Sequence, residues 1–178
     1  PWEADHAEAR AQTQAAVERT IQALFDQPQA LTTLLTADHT RLLTLPELDH
    51  YAASRPPGTT FLGPVPEPDT GERVQWQQPN KPHVFVYLHT QPWLGTVLTA
   101  LEASGAEVIA VIPDISDELA SRHRRLRLFR RPVQMAPLLA GCTLAITHAG
   151  HGTALNCLLA GVPMLLLPLH IEQLMVTE

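Results

Sequence analysis

The 178-residue chain has only two cysteines, and it has no apolar run long enough to span a membrane. Two cysteines are too few for a disulfide framework, and Cys157 falls within a helical pattern, so we expect Cys142 and Cys157 to be reduced and buried. No signal peptide is present, although the sequence begins at Pro1 rather than Met. These absences predict a soluble, cytoplasmic protein.

Two common catalytic patterns are also missing. No Gly-x-Ser-x-Gly elbow occurs, and neither cysteine lies in an electropositive turn, which argues against a hydrolase with a Ser or Cys nucleophile. No His-Glu-x-x-His helix occurs either. A metal site remains open as an alternative because four side chains of ligand type follow one another along the chain: His148, His151, Cys157 and His170.

Basic residues are scarce and unevenly placed. The net charge is −6, and 45% of the residues are hydrophobic, which is enough for a sizeable core. Half of the twelve basic residues form one basic segment: Arg122, Arg124, Arg125, Arg127, Arg130 and Arg131. This segment could be a solvated connection, line a site for an anionic ligand, or contact acidic lipid as a peripheral membrane surface. Nucleic acid is not expected, because no aromatic side chains alternate with the arginines.

The most informative part of the chain is the run Thr147-His148-Ala149-Gly150-His151-Gly152-Thr153. An apolar run at residues 143–147 predicts a buried strand before it. Thr153 is expected to cap a helix, on one face of which lie Leu155, Leu158 and Leu159. Gly161 and Pro163 should end that helix before a strand at residues 164–167. A glycine turn leading into a helix N-terminus offers free N–H groups to phosphate.

Three further pieces surround this turn. His148 to Thr153 fits His-x-Gly-x-x-[Ser/Thr], Gly161-Val162-Pro163 follows, and residues 168–173 fit Pro-x-x-x-[Asp/Glu]-Gln. With Gln134 upstream, the sequence resembles the UDP-glycosyltransferase-like family of GT-B fold, nucleotide-sugar-dependent glycosyltransferases. The match covers the carboxyl-terminal half well and the first third loosely. It implies an α/β fold: a Rossmann-like parallel sheet flanked by helices.

The resemblance assigns roles residue by residue. His148 looks like the histidine that contacts the donor diphosphate, and Gly150, Gly152, Thr153 and Thr90 match positions that hold the phosphates. The remaining carried-over positions face the base and ribose, namely Gln134, Asn156 and Arg131, and the donor sugar, namely Glu172 and Gln173. Asn156 departs from the family, because many relatives have a glutamate there that holds both ribose hydroxyls. Arg131 lies where plant members place a Trp, and His89 stands where a glycine is common.

Composition and resemblance together predict the organisation of the chain. Residues 1–55 would be the end of an incomplete amino-terminal, acceptor-side domain, and the residues from Pro56 to Pro82 would be an extended interdomain linker. Residues 83–178 would be the donor-binding domain. The family continues through further helices after the acidic-Gln pair, so this domain is expected to be truncated at its end.

Local patterns place the individual elements. Residues 7–25 predict a helix whose core face carries Val17, Ile21, Leu24 and Phe25, and Leu31, Leu34 and Leu35 predict a second short helix. Strands are predicted at residues 40–44, 83–88, 107–112 and 126–129, with a helix at 94–103. The alternation favours parallel βαβ units. Asp49 and His50 are not expected to act as a catalytic dyad.

The resemblance implies transfer of a hexose from a UDP- or dTDP-sugar to the hydroxyl of a small-molecule or lipid acceptor, with inversion. No cofactor and no obligatory metal are implied. The general base should come from the missing domain, so this polypeptide alone is expected to bind nucleotide but to transfer little sugar. Two alternatives remain: a nucleotide-sugar epimerase of the same fold, and a non-catalytic nucleotide-binding or partner module.

Overall fold

A computed structural model describes residues 7–24, 39, 41–65 and 69–177. The chain divides into two compact units, Pro1–Arg41 and Leu42–Glu178. The described part of the first unit is essentially one helix, α1 (Ala7–Leu24). Its predicted core face is wrong at two positions, because Val17 is 40% exposed and Leu24 is 76% exposed. Phe25 and the second short helix predicted at Leu31, Leu34 and Leu35 lie outside the described residues.

Leu42, the first residue of the second unit, belongs to β1 (Arg41–Leu42), which forms a two-stranded sheet with β2 (Thr60–Phe61). The first of these lies within the strand predicted at residues 40–44. Between the two strands are short 3-10 helices at Pro46–Leu48 and Ala52–Ser54. Asp49 follows the first 3-10 helix rather than lying on a strand, and its carboxylate is paired with Arg55.

The rest of the second unit is built on five parallel strands, in the order β5, β4, β3, β6, β7. The strands are β3 (His83–Tyr87), β4 (Glu107–Val111), β5 (Arg127–Phe129), β6 (Leu144–Thr147) and β7 (Met164–Leu166). The helices are α2 (Leu94–Ala103), α3 (Asp117–Arg122), α4 (Met135–Leu139), α5 (His151–Leu159) and α6 (Ile171–Met175). The predicted strands and the helix at 94–103 are confirmed to within a residue or two.

The sheet is buried on both faces, as parallel sheets usually are. Alternate residues of β3 and β4 point to opposite sides, so that Val84, Val86, Val108 and Ala110 pack against α2. Phe85, Ile109 and Val111 point the other way, toward α4 and α5. The predicted fold class, a parallel α/β sheet flanked by helices, is therefore confirmed.

Helix α5 ends as predicted but begins differently. Gly161 has a φ of 68°, and the N–H groups of Gly161 and Val162 donate to the carbonyls of Leu158 and Cys157, the Schellman pattern. At the other end Gly150 is the N-cap and Thr153 is the third helical residue, so the cap predicted for Thr153 is wrong. Leu155, Leu158 and Leu159 share one face of the helix, as predicted. Leu155 is buried, whereas Leu158 and Leu159 are 45% and 56% exposed.

The residues before β3 pack closely on this sheet. Val74 is buried in the cluster on the α4 and α5 side, and Glu72 forms an isolated parallel bridge with Val133. Glu107, which is 3% exposed, accepts hydrogen bonds from the N–H groups of Gln77 and Gln78 and from Arg127. Burial alone would raise the pKa of Glu107, but these hydrogen bonds outweigh it and hold the pKa below its ordinary value.

Candidate functional site

The candidate site lies at the carboxyl edge of the sheet, beside the two central strands β3 and β6. From β3 the chain crosses to β4 on one side and later returns to β6 on the other. Open parallel sheets bind ligands at such a switch point, where the loops after two neighbouring strands diverge. His89 follows β3 and His148 follows β6, and their rings are 5.1 Å apart between centroids.

His148 is held from one side by the backbone of β3. Its Nδ1 lies 3.2 Å from the carbonyl oxygen of Tyr87, and its N–H donates to the same oxygen at 3.3 Å. A carbonyl oxygen only accepts, so Nδ1 carries the proton and Nε2 is the basic atom of the neutral ring. Burial lowers the pKa of His148, as do nearby His89 and His170, against an opposing effect of the Tyr87 carbonyl.

The glycine turn after His148 is tight. Ala149 is fully buried in the left-handed region, with a φ of 60°, and its N–H donates to the hydroxyl of Thr147 at 3.1 Å. A Cβ at Gly150 would lie 3.0 Å from Nε2 of His148, so a side chain there would press on the imidazole. Glycine at 150 therefore lets the turn pass close beside the histidine.

Helix α5 presents its N-terminus at this turn. Gly150 provides no side-chain cap, so the first N–H groups of the helix, from His151, Gly152 and Thr153, have no intrahelical acceptor. A Cβ built at Gly152 would meet open space, and Thr153 is half-buried. The predicted diphosphate residues of this segment thus form one group around a helix N-terminus that favours anions.

Thr90, predicted to lie near the phosphates, is hydrogen-bonded within the loops at this edge of the sheet. The N–H of Thr90 donates to both carboxylate oxygens of Asp114 at 3.0 and 3.1 Å, and its hydroxyl donates to the Asp114 carbonyl. His89 lies 3.6 Å from the same carboxylate. Burial alone would raise the pKa of Asp114, but the Thr90 N–H and nearby His89 help to keep it below its ordinary value. Thr90 therefore organises this loop, and its hydroxyl is already engaged.

The predicted sugar-binding residues lie together in a cavity of about 380 Å³, called here the sugar cavity. Its walls are Glu172 and Gln173 of α6, the turn residues Ala149, Gly150 and His151, and also His50, Tyr51, His170 and Val176. Gln173 is buried, and its Oε1 accepts a hydrogen bond from the N–H of Leu169 at 2.7 Å. Both residues lie on helix α6 rather than on a strand.

A larger cavity, of about 680 Å³, opens on the α4 and α5 side of the sheet and is called here the apolar cavity. Its floor includes Phe85, Tyr87 and Val111, and Asn156 of α5 lies in its wall. Gln134 and Arg131 do not line it. The N–H of Gln134 donates to the carbonyl of Glu72 at 2.9 Å. Thus only Asn156, of the three predicted base and ribose residues, faces this cavity.

Asp69, which lines the apolar cavity, was not predicted from the sequence. The Asp69 carboxylate accepts hydrogen bonds from the N–H groups of Met135 at 2.8 Å and Ala136 at 3.0 Å, so it caps α4 from a distant part of the chain. Asp69 lies 66 residues before Met135, outside the reach of any capping pattern. Tyr87, whose carbonyl holds His148, was missed for the same reason.

The basic segment is largely engaged in internal contacts. Arg122 pairs with Glu118, Arg130 with Asp117, and Arg127 with the buried Glu107. Arg124 donates to the carbonyl of Ser121. Arg127 lies at the start of β5, the end of the strand opposite the candidate site. For Arg125 and Arg131 no hydrogen bond or ion pair is found among the described residues, and contact with lipid stays a prediction.

The alternative metal group is not assembled. Cys157 is fully buried in the core against the sheet, and burial raises its pKa to about 11, which disfavours the thiolate that binds metal. Within residues 7–24, 39, 41–65 and 69–177, no three side chains of His, Cys, Asp or Glu lie in a metal-binding arrangement. Within the same ranges no helix is long and apolar enough to cross a membrane.

Comparisons with known proteins agree with this geometry. Residues 114–176 match the family model for the glycosyltransferase family 28 C-terminal domain. None of the curated proteins matches the chain in sequence. Among solved structures, the glycosyltransferase of kitacinnamycin has a TM-score of 0.75 at 19% identity, over 98% of this chain and 50% of its own.

Two further structures are similar. A spinosyn rhamnosyltransferase has a TM-score of 0.58 at 24% identity, over 80% of this chain and 40% of its own. A glycosyltransferase from Streptomyces sp. SF2575, complexed with thymidine diphosphate, has a TM-score of 0.50 at 26% identity, over 68% of this chain and 34% of its own. The chain thus spans half or less of the length of these proteins. The resemblance to the carboxyl-terminal domain of GT-B, UDP-glycosyltransferase-like proteins is confirmed.

Proposed function

We propose that this chain supplies the donor-binding site of a glycosyltransferase that moves a hexose from a UDP- or dTDP-sugar to an acceptor hydroxyl with inversion. The observation that carries the proposal is the arrangement around the turn after β6. Gly150 and His151, at the N-terminus of α5, line the sugar cavity together with Glu172 and Gln173, and His148 precedes them in the same turn. Groups suited to an anion and groups suited to a polyol are thus adjacent.

In this proposal the nucleoside diphosphate lies against the N-terminus of α5. As the bond between the anomeric carbon and the phosphate oxygen breaks, negative charge grows on the diphosphate. The N–H groups of His151, Gly152 and Thr153 and a protonated His148 would stabilise that charge. Free His148 is biased toward its neutral form, so we expect it to take up a proton when the diphosphate binds.

The sugar would occupy the sugar cavity, where the Glu172 carboxylate accepts hydrogen bonds from its hydroxyls. Acceptors of this kind discriminate well because a missing hydroxyl leaves a buried polar group unpaired. The acceptor oxygen would attack the anomeric carbon from the face opposite the diphosphate. Its proton must pass to a base, which we place in the acceptor-side part of the full protein.

The nucleoside is assigned to the apolar cavity next to Asn156. Apolar walls with a few polar groups are typical of sites for small ligands. The complex of a similar protein with thymidine diphosphate supports a pyrimidine nucleotide as the donor component. With Asn156 in place of a carboxylate, we propose that ribose contributes little to the affinity.

A calorimetric titration with UDP, dTDP and GDP tests the donor site. We expect saturable binding of UDP or dTDP, weakened by about 1.5–3 kcal/mol in His148→Ala because a charge-assisted contact to phosphate is lost. Glu118→Gln, on the exposed side of α3, is the matched control and should leave the affinity unchanged. If no nucleotide binds the wild-type chain, the donor-site proposal fails.

Two further measurements distinguish the proposed transferase from an epimerase and from a non-catalytic module. A nucleotide-sugar epimerase would change the free donor without any acceptor, whereas the proposed transferase would leave its sugar unchanged. A non-catalytic module is favoured by one observation, the Thr90 hydroxyl that is already bonded to Asp114. Binding of a nucleotide without transfer by the complete protein would support that alternative.

A further inference from the structure

The sugar cavity has a wall from a distant part of the chain. His50 and Tyr51 line it together with Glu172 and Gln173, although they come about 120 residues earlier in sequence. They lie well outside the matched residues 114–176, and no motif of the sequence includes them. Residues 44–51 are called here the wall segment.

The wall segment is hydrogen-bonded directly to the residues that follow the glycine turn after β6. The hydroxyl oxygen of Thr44 lies 3.0 Å from Nε2 of His151, the first residue of α5, across 107 positions of sequence. Nε2 of the His151 ring is therefore engaged by Thr44. The imidazole of His151 therefore fixes the wall segment beside the turn, while its backbone N–H stays at the helix N-terminus.

At its other end the wall segment is held by a buried carboxylate. Asp49, 8% exposed, accepts two hydrogen bonds from Arg55, at 3.0 and 3.1 Å. It also accepts the N–H of Tyr51 at 3.2 Å. A bidentate pair of this kind fixes geometry as well as charge. The backbone on both sides of His50 is thereby held in place.

The two rings form a small aromatic surface. The centroids of His50 and Tyr51 are 4.4 Å apart, and the Arg55 guanidinium carbon lies 5.7 Å from the Tyr51 centroid. Tyr51 is nevertheless 44% exposed. Both rings line the cavity, contact each other and are partly exposed, so they are accessible to a ligand there.

The chemistry of the two walls is complementary to a hexose. A pyranose presents hydroxyls around its edge and C–H groups on its faces. Among the residues that line the cavity, Glu172 and Gln173 supply polar atoms, and the His50 and Tyr51 rings supply apolar faces with a polar atom at the tip of each. We propose that His50 and Tyr51 bind the donor sugar and help to determine which sugar is accepted. This assignment rests on the proposed function.

The test compares nucleotides with nucleotide sugars, because His50 and Tyr51 should contact the sugar and not the nucleotide. Dissociation constants of UDP, dTDP, UDP-glucose and dTDP-glucose are measured for the wild type, His50→Ala and Tyr51→Leu. Glu47→Gln, on the exposed 3-10 helix of the same segment and outside the cavity, is the matched control. Thermal unfolding midpoints verify that the variants fold, as expected for exposed side chains.

We expect His50→Ala and Tyr51→Leu each to lower the affinity for the nucleotide sugar by about tenfold, as for one lost contact with a buried partner. The affinity for the free nucleotide should change less than about twofold. Glu47→Gln should change neither. Unchanged affinity for both nucleotide sugars, or an equal loss for sugar and free nucleotide, would overturn the assignment. A wild type that binds neither UDP nor dTDP would overturn the proposed function first, and this assignment with it.

Discussion

Nδ1 of His148 lies 3.2 Å from the carbonyl oxygen of Tyr87, so the neighbouring strand decides which nitrogen of this histidine carries the proton. The neutral ring then offers an unprotonated Nε2 toward the turn. A phosphate oxygen is also an acceptor, and the two atoms can form a hydrogen bond only after Nε2 gains a proton. Nucleotide binding and protonation of His148 are therefore linked.

This linkage predicts a pH dependence of binding. Burial lowers the pKa of free His148, so the ring is mainly neutral near neutral pH, and bound phosphate raises that pKa. Affinity for UDP or dTDP should therefore increase as the pH falls from about 8 to about 6.5. Calorimetry in buffers of different ionisation enthalpy should show proton uptake. In His148→Gln both effects should be absent, and a pH-dependent affinity that survives this change would contradict the linkage.

Asn156 predicts a selective gain of affinity. A glutamate at this position would add a charged acceptor for two ribose hydroxyls in the wall of the apolar cavity. Asn156→Glu should increase the affinity for UDP by about tenfold. The affinity for dTDP should increase much less, because its deoxyribose lacks the 2′-hydroxyl. Competition binding with both nucleotides measures the difference. Asn156→Gln is the control for side-chain size, and an equal gain for both nucleotides would contradict the ribose assignment.

The lowered pKa of Glu107 predicts that the free energy of unfolding decreases at acidic pH. Its lowered pKa means that the carboxylate stabilises the fold above its ordinary value of 4.5 and loses this contribution as the pH falls through the lower folded value. Glu107→Gln should lower the free energy of unfolding by about 2 kcal/mol near neutral pH, since it weakens hydrogen bonds to a buried charge. Urea unfolding measures this. Glu118→Gln, 75% exposed, should stay within about 0.5 kcal/mol of wild type.

The conformation and burial of Ala149 predict that position 149 tolerates only a small side chain. Its φ of 60° and complete burial leave no room for a branched side chain. Ala149→Val should reduce the free energy of unfolding by about 2–4 kcal/mol, through backbone strain and overpacking, and should also weaken nucleotide binding. Ala149→Gly is the control and should stay within about 1 kcal/mol of wild type in urea unfolding. A stable Ala149→Val protein would contradict the left-handed conformation.

The sequence was sufficient for the five strands of the parallel sheet but not for the short helices. The apolar runs of β3, β4 and β6 are buried on both faces, which makes their pattern conspicuous. Helices α4 and α6 have five residues each, less than two turns, and a period of 3.6 residues cannot be recognised over that length. Both were missed, although α6 carries two of the predicted sugar-binding residues.

The candidate site shows a similar division. The turn from His148 to Thr153 was found because its residues are consecutive, and the resemblance gave them roles. The groups that hold this turn and its neighbours in place are the Tyr87 carbonyl, the Asp114 carboxylate and the Asp69 carboxylate. Each bonds to a backbone or ring atom many positions away. No local pattern marks such a contact, because every residue type has a backbone N–H and C=O except proline at its nitrogen.

The contacts made by residues 69–82 have a practical consequence for dividing the molecule. A polypeptide starting at His83 would keep all five strands, yet it would lose the Asp69 cap of α4, the buried Val74 and both N–H partners of Glu107. A shortened chain that keeps these buried contacts must therefore start at or before Asp69, well upstream of the first parallel strand.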